Sequence, residues 1–281
     1  MRHAGAALGG LGRIAALGAM GRAAALAVAC ALAACTTTPG GSSEDSPDRI
    51  TASDESEASK RMRVRLELAS AYFGRGQMEF ALDQVKLAIQ ADPTQGEAFN
   101  LRGLIYASLG DDRLAEESFR RALQINPRDA DSMQNFGWFL CQRKRFNEAH
   151  VQFEQALAAP RYRDSARTYL TQGICFSQAG QLELAERSLS RSNEIEPGNM
   201  SAAFTLAEIL YRRKEYERAR FYVRRVNASN EVTNAQSLWL AARIENRLGQ
   251  LRARSELGQQ LRRRFPESRE ASAFEQGRWD E

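Results

Sequence analysis

The side chains that most often carry chemistry are scarce in this sequence. Two histidines, His3 and His150, occur in 281 residues, which argues against a histidine-rich metal site and leaves one candidate at most for histidine catalysis. We interpret His150 as a surface or groove-edge residue. No Gly-x-Ser-x-Gly, phosphate-loop or His-Glu-x-x-His pattern is present, and no Cys-x-x-Cys pair indicates thiol exchange. The sequence therefore predicts no enzyme active site, no cofactor and no metal.

The charged residues give no strong sign of a nucleic-acid partner. There are 39 basic and 35 acidic residues, for a formal net charge of +4. Basic clusters lie at Arg143–Arg145, Arg212–Lys214, Arg224–Arg225 and Arg262–Arg264. Two interpretations remain open: solvated helix ends, where cations favour the helix dipole, or a patch for an anionic partner.

Residues 1–34 have the composition of a secretory signal. They contain Arg2, Arg13 and Arg22 but no acidic residue, and a short apolar run from Ala23 to Ala34 ends in small residues. The run is shorter than the ~20 residues that span a bilayer as a helix. Met20 is an alternative start. Removing this leader takes away three arginines and lowers the net charge from +4 to +1.

The leader ends in Leu32-Ala33-Ala34-Cys35, which resembles the lipobox of bacterial lipoproteins. The resemblance implies cleavage before Cys35, lipidation of that cysteine and a stable membrane anchor. Thr36, where an aspartate would cause retention, implies sorting to the outer membrane, with the protein on its periplasmic side. The alternative is an ordinary signal followed by a coincidental cysteine.

Residues 35–60 are predicted to be a flexible tether. They are rich in Ser, Thr, Gly, Pro and acidic residues and poor in apolar ones. About 25 such residues give a root-mean-square reach of ~25–30 Å, which would hold a folded body away from the membrane.

From residue 61 to 281 the sequence repeats. Small residues recur in one register at Ala69, Gly103, Gly137, Gly173, Ala207 and Ala241. A second small series follows twelve residues later, from Ala81 to Ala253, and prolines such as Pro93 and Pro127 end the units. Each unit suits two helices that cross at small residues, and no such pair buries its apolar face alone. The pattern predicts an all-α superhelical solenoid of six helix-turn-helix repeats, ending in a C-terminal capping helix.

These units resemble the tetratricopeptide repeat (TPR) family, most clearly from Leu101 to Tyr106 and at Ala115, Phe119 and Pro127. The turns of repeats three and five carry lysine where others carry glycine, so we expect those turns to be built differently. By resemblance, the first helices line a concave partner-binding groove, with Trp138 alternatively in the core. The groove residues implied are Leu66, Ser70, Phe73, Asn100, Leu104, Ala107, Gln134 and Trp138.

Two cysteines remain after the signal and the lipidation site, Cys141 and Cys175. Their 34-residue separation returns the chain to the neighbouring first helix, which makes a disulfide geometrically plausible in an oxidising compartment. Two buried free thiols are the alternative.

The segments Asn135–Cys141, Gly173–Cys175, Tyr216–Arg220, Ser237–Leu240 and Phe265–Ser268 resemble the PilF/PilW family of type IV pilus biogenesis lipoproteins. That resemblance implies an outer-membrane pilotin, which binds the pilus secretin and promotes its localisation and multimerisation. A lipid-anchored TPR scaffold for another envelope or secretion assembly is the alternative function.

Overall fold

We describe the protein from a computed structural model, in which residues 56–229 and 231–279 are described. The predicted signal (1–34), the lipidation site Cys35 and the tether up to residue 55 lie outside these residues. Within the described ranges every regular element is an α-helix and no strand occurs. None of these helices combines the length and the apolar character that a transmembrane segment requires.

Thirteen helices occupy the described residues. They are α1 Glu57–Gly74, α2 Met78–Ala91, α3 Gly96–Leu109, α4 Asp112–Ile125, α5 Ala130–Gln142, α6 Phe146–Leu157, α7 Ser165–Gln178, α8 Leu182–Ile195, α9 Met200–Arg212, α10 Tyr216–Asn227, α11 Ala235–Arg247, α12 Leu251–Arg264 and α13 Arg269–Glu275. Helix α1 begins inside the predicted tether, because Ser56 caps it by accepting a hydrogen bond from Ser59 N.

The helices form six consecutive hairpins, α1–α2 to α11–α12, followed by α13. The first helix of each hairpin also packs against the first helix of the next one. The backbones of successive second helices stay farther apart, although side chains join some of them, as Arg218 of α10 pairs with Glu186 of α8. The first helices therefore lie on the inner side of the stack and the second helices on the outer side. This arrangement confirms the all-α helical-hairpin solenoid.

The second and third hairpins close where a glycine meets a ring. A Cβ added to Gly103 would lie 2.8 Å from the ring of Phe119, and one on Gly137 would lie equally close to the ring of Phe153. Both phenylalanines are fully buried. Because carbon atoms pack at about 3.5–4.0 Å, only glycine lets the two backbones approach around these rings.

The turn inside each hairpin contains one residue with a left-handed backbone. Lys144 (φ 60°) and Lys214 (φ 64°) adopt this conformation just as the glycines of the other turns do. The expectation that these two turns differ is wrong. Lys144 N donates to Cys141 O, in the pattern in which Gly110 N donates to Ala107 O. Satisfying the last carbonyls of the helix outweighs the ~1–2 kcal/mol that a side chain costs in this region.

The sixth repeat begins one residue later than the periodicity of the sequence predicted. The left-handed turn residues are Gly76, Gly110, Lys144, Gly180, Lys214 and Gly249, so the last interval (214 to 249) is 35 residues and not 34. The small crossing residue is therefore Ala242 instead of Ala241. The position that holds Phe119 in repeat two falls on Gly258 instead of Leu257.

Helix α13 supplies the ring that α12 lacks. A Cβ on Gly258 would lie 2.0 Å from Cζ of Phe274, so this ring occupies the site that a repeat's own phenylalanine fills elsewhere. Trp279 packs edge-on against Phe274 at 5.3 Å between ring centroids and stacks on Trp239 at 5.2 Å. Helix α13 thus covers the last hairpin as a further repeat would.

The solenoid carries its own core. The described helices form one compact unit, and its hydrophobic clusters run from Met62 in α1 to Trp279 after α13. Neighbouring clusters draw residues from the same helices, so the core is continuous along the stack. A polypeptide that begins after residue 35 therefore contains the packing it needs to fold.

Candidate partner-binding face

The predicted partner-binding groove corresponds to the inner face of the stack, which the first helices form. Ser70 is exposed there. Phe73, Leu104, Ala107 and Trp138 are partly buried, so each keeps some surface for a partner. The assignment of these side chains to partner binding stays a prediction.

Three predicted groove residues leave little surface for a partner. Leu66 is 7% exposed, Asn100 9% and Gln134 2%. Asn100 Oδ1 accepts a hydrogen bond from Asn135 Nδ2 at 3.3 Å, which ties the first helices of repeats two and three together. These three side chains therefore pack beneath the surface of the groove and offer little area for contact with a partner.

The inner face continues through repeats five and six, where the sequence-based set stopped. Shifting Leu104 and Ala107 by three repeat intervals gives Glu208 and Tyr211, so the periodicity could have identified them. Arg243 lies over the ring of Tyr211, with its guanidinium carbon 4.6 Å from the ring centroid. Arg247 Nε donates to the Tyr211 hydroxyl at 3.4 Å. An arginine-flanked tyrosine therefore stands on this part of the face.

Glu208 is an exposed acidic side chain on this part of the face. Desolvation by the surrounding protein nonetheless raises the pKa of its carboxyl group. The charges of Arg212 and Arg243 lower this pKa, but their effect is smaller than that of desolvation, so the pKa remains raised. An accessible carboxylate at this position favours a cationic or hydrogen-bonding group of a partner.

Cys141 and Cys175 come together at one edge of the inner helices. Their sulfur atoms lie at bonding distance, and their Cα atoms are 5.8 Å apart, within the range that disulfides require. The bond links α5 to α7, where the longer connection from Ala158 to Asp164 separates repeats three and four. Formation of this disulfide in the cell stays a prediction.

His150 lies on the second helix of repeat three, away from the inner face. Its ring is 5.1 Å from that of Phe176, and its Nδ1 is 3.3 Å from the amide nitrogen of Gln172. Gln172 also donates to Glu154 and accepts from Ser188, so the amide holds α6, α7 and α8 together. Nowhere in residues 56–229 and 231–279 do acidic, histidine and cysteine side chains form a group suited to a metal ion.

Three of the basic clusters contain arginines that join successive repeats, and Arg224 does so by donating to Glu245. Arg145 donates to Glu116 of the preceding repeat at 2.5 Å and to Glu148 of its own helix at 2.7 Å. The hydrogen bond from Arg145 lowers the pKa of Glu116, as does a weaker one from Arg120. Arg213 of repeat five likewise pairs with Glu186 of repeat four. These arginines fix the spacing of the stack.

Comparisons with known proteins agree with this architecture. Family models described as "Tetratricopeptide repeat" match residues 96–129 and 130–159. The curated protein "Type IV pilus assembly protein PilF" from Pseudomonas aeruginosa is 28% identical over 210 residues, which is 75% of this chain and 83% of that protein.

Two solved structures match nearly over their whole length. One, from the functional characterization of Pseudomonas aeruginosa PilF, has a TM-score of 0.70 at 26% identity and covers 79% of this chain and all of that one. The other, of PilW, described as a widely conserved type IV pilus biogenesis factor, has a TM-score of 0.69 at 33% identity. It covers 75% of this chain and 97% of its own.

Proposed function

The chain belongs to the PilF/PilW family of type IV pilus biogenesis TPR proteins, and from that premise we propose that it is a lipid-anchored pilotin of the outer membrane. In this role it binds the secretin of the type IV pilus, brings that secretin to the outer membrane and promotes its multimerisation. Binding, and not catalysis, is the activity of the solenoid.

The observation that carries the proposal is the match to PilF and PilW over 97–100% of their chains. The inner face supports it, because it offers both apolar and polar side chains along six hairpins. Phe73 and Leu104 provide apolar contact, whereas Glu208 and Tyr211 provide hydrogen-bonding groups. Such a surface suits an extended segment or an amphipathic helix of a partner protein.

The proposed mechanism is capture at high local concentration. Lipid on Cys35 would hold the solenoid at the periplasmic side of the outer membrane, and the tether would let it search the nearby volume. A secretin segment bound to the inner face is then confined near the membrane. Confinement raises the effective concentration of secretin subunits and so favours ring assembly without any new contact between them.

The decisive experiment measures secretin multimers in outer-membrane fractions of a strain lacking this protein. We expect the multimers to be depleted, with monomeric secretin left in other fractions. Complementation by the wild-type gene should restore them, and the Cys35→Ala variant should not. Normal multimers in the deletion strain would refute the proposal. Co-purification of a cell-wall synthase in place of the secretin would instead favour the envelope scaffold.

A matched pair of substitutions tests the inner face. Ser70→Trp adds a bulky side chain at an exposed site on α1, which should obstruct the groove and reduce secretin capture. Asp83→Trp adds the same side chain at an exposed site on α2, the outer helix of the same repeat, and should leave capture unchanged. Equal effects of the two variants would mean that the inner face of repeat one does not bind the secretin.

A further inference from the structure

The outer helices of the solenoid differ sharply in charge from one end to the other. Helices α2, α4, α6 and α8 together carry six basic and ten acidic residues. Helices α10 and α12 together carry nine arginines and two glutamates. The positive charge is therefore concentrated on the outer side of the last two repeats.

Much of this charge faces solvent. The Arg252 side chain is 94% exposed and that of Arg224 is 61% exposed. Arg252 pairs with Glu256, and Arg220 and Arg224 pair with Glu245 of α11. Arg218 and Arg220 also pair with Glu186, Glu215 and Glu217. These five glutamates are still fewer than the nine arginines, so this surface keeps a net positive charge.

Large apolar side chains stand among the arginines. Phe221 is 60% exposed and Leu251 is 62% exposed. The guanidinium carbon of Arg225 lies 5.8 Å from the centre of the Phe221 ring, so cation and ring present one combined surface. An exposed phenylalanine among arginines is typical of surfaces that rest in the headgroup region of a bilayer.

We propose that the outer face of α10 and α12 docks on a bilayer containing anionic phospholipid, with Phe221 entering the headgroup layer. A broad anionic surface complements this charge, and the outer side of the stack can rest on it along two helices at once. The inference rests on the proposed lipid anchoring, which places the protein beside a membrane. The tether and the basic face would then hold opposite ends of the solenoid, leaving the inner face open to a partner.

Vesicle flotation of residues 36–281 tests the surface without the lipid anchor. We expect this protein to float with vesicles containing 30% phosphatidylglycerol in phosphatidylcholine and not with phosphatidylcholine alone. Raising the salt concentration should weaken binding, because exposed charges are screened. Each arginine near such a surface strengthens binding roughly fivefold. The triple variant Arg252→Gln, Arg262→Gln and Arg263→Gln should therefore bind on the order of a hundredfold more weakly.

The outer helix α4 provides the matched control. The triple variant Arg113→Gln, Arg120→Gln and Arg121→Gln removes the same charge from the balanced end of the stack, so it should bind the vesicles nearly as the wild type does. Phe221→Ser should weaken the binding that persists in high salt. Circular dichroism of each variant verifies its fold.

Equal losses of vesicle affinity in the two triple variants would refute a localised docking face. Wild-type binding that does not depend on phosphatidylglycerol would refute it as well. Retention on purified cell-wall sacculi or on an acidic peptide, with no vesicle binding, would also overturn the proposal. No secretin is present in this assay. Absence of vesicle binding would therefore refute the docking face without contradicting the pilotin function. Normal secretin multimers in the deletion strain would refute the pilotin function, but they would not affect vesicle binding.

Discussion

The contact between Gly258 and Phe274 allows a test of how the solenoid is terminated. Because a Cβ on Gly258 would lie 2.0 Å from the ring, Gly258→Ala must displace Phe274 by about 1.5 Å to reach a normal carbon–carbon distance. Overpacking of this kind costs about 1–3 kcal/mol. Phe274→Ala removes a partly buried ring, so we expect about 2–3 kcal/mol, at or below the lower end of the range for buried phenylalanines.

The double variant should not show the sum of these costs. Once the ring is gone, the alanine at position 258 meets no obstacle and improves the helix propensity of α12 by up to about 1 kcal/mol. The double variant should therefore be as stable as Phe274→Ala alone, or slightly more stable. The expected coupling between the two sites is about 1–3 kcal/mol or more.

Urea unfolding measures these free energies with two signals. Two of the three tryptophans, Trp239 and Trp279, lie in the cap, so fluorescence reports mainly on this end of the stack. Far-ultraviolet circular dichroism reports on all helices. Gly74→Ala is the control, since no atom lies within 4 Å of its added Cβ and the variant should not lose stability. Additive costs for Gly258→Ala and Phe274→Ala, within about 0.5 kcal/mol, would refute this account of the cap.

Three further predictions concern single features of the stack. Lys214→Gly should increase the free energy of unfolding by up to about 1 kcal/mol and so raise the urea midpoint, because glycine removes the side-chain cost of the left-handed turn. A lower midpoint would contradict this. Replacing Cys141 and Cys175 by serine should cost about 3–4 kcal/mol in unfolding experiments, and non-reduced mass spectrometry should show the native pair two hydrogens lighter than the reduced one. Since Arg145 lowers the folded-state pKa of Glu116, its stabilisation is complete above the unfolded pKa and is lost as the pH falls through the folded value. Glu116→Gln should thus destabilise at neutral pH and approach wild-type stability in acid, whereas a pH-independent difference would contradict the ion pair.

Much of the fold could be predicted because the periodicity of a repeat protein is local. Gly103 and Phe119 recur at fixed intervals, since each hairpin must solve the same packing problem. The left-handed lysines could not be foreseen in this way. Lys144 has an unfavourable intrinsic preference for that backbone, and only the hydrogen bonds of the completed helix end outweigh it.

The sequence predicted which side chains lie on the inner face, but not how much of each side chain is exposed. Helical spacing placed Asn100 and Gln134 on the inner side, yet the spacing of one helix cannot show how closely the next one packs. The stack buries both side chains, and Asn100 is also hydrogen-bonded to Asn135 of the next first helix. Conversely, Tyr211 follows from the same register, but its contacts with Arg243 and Arg247 depend on how the fifth and sixth hairpins pack together.

The sequence by itself determined the helical hairpins, their number and the crossing residues of the first five repeats, because these depend on spacing within about 34–36 residues. Only the tertiary structure decided how the stack ends and where its charges gather. Phe274 completes a hairpin whose own position 258 is glycine, and the arginines of α10 and α12 form one face only after the outer helices line up. Both depend on contacts between elements distant in sequence, which local periodicity does not encode.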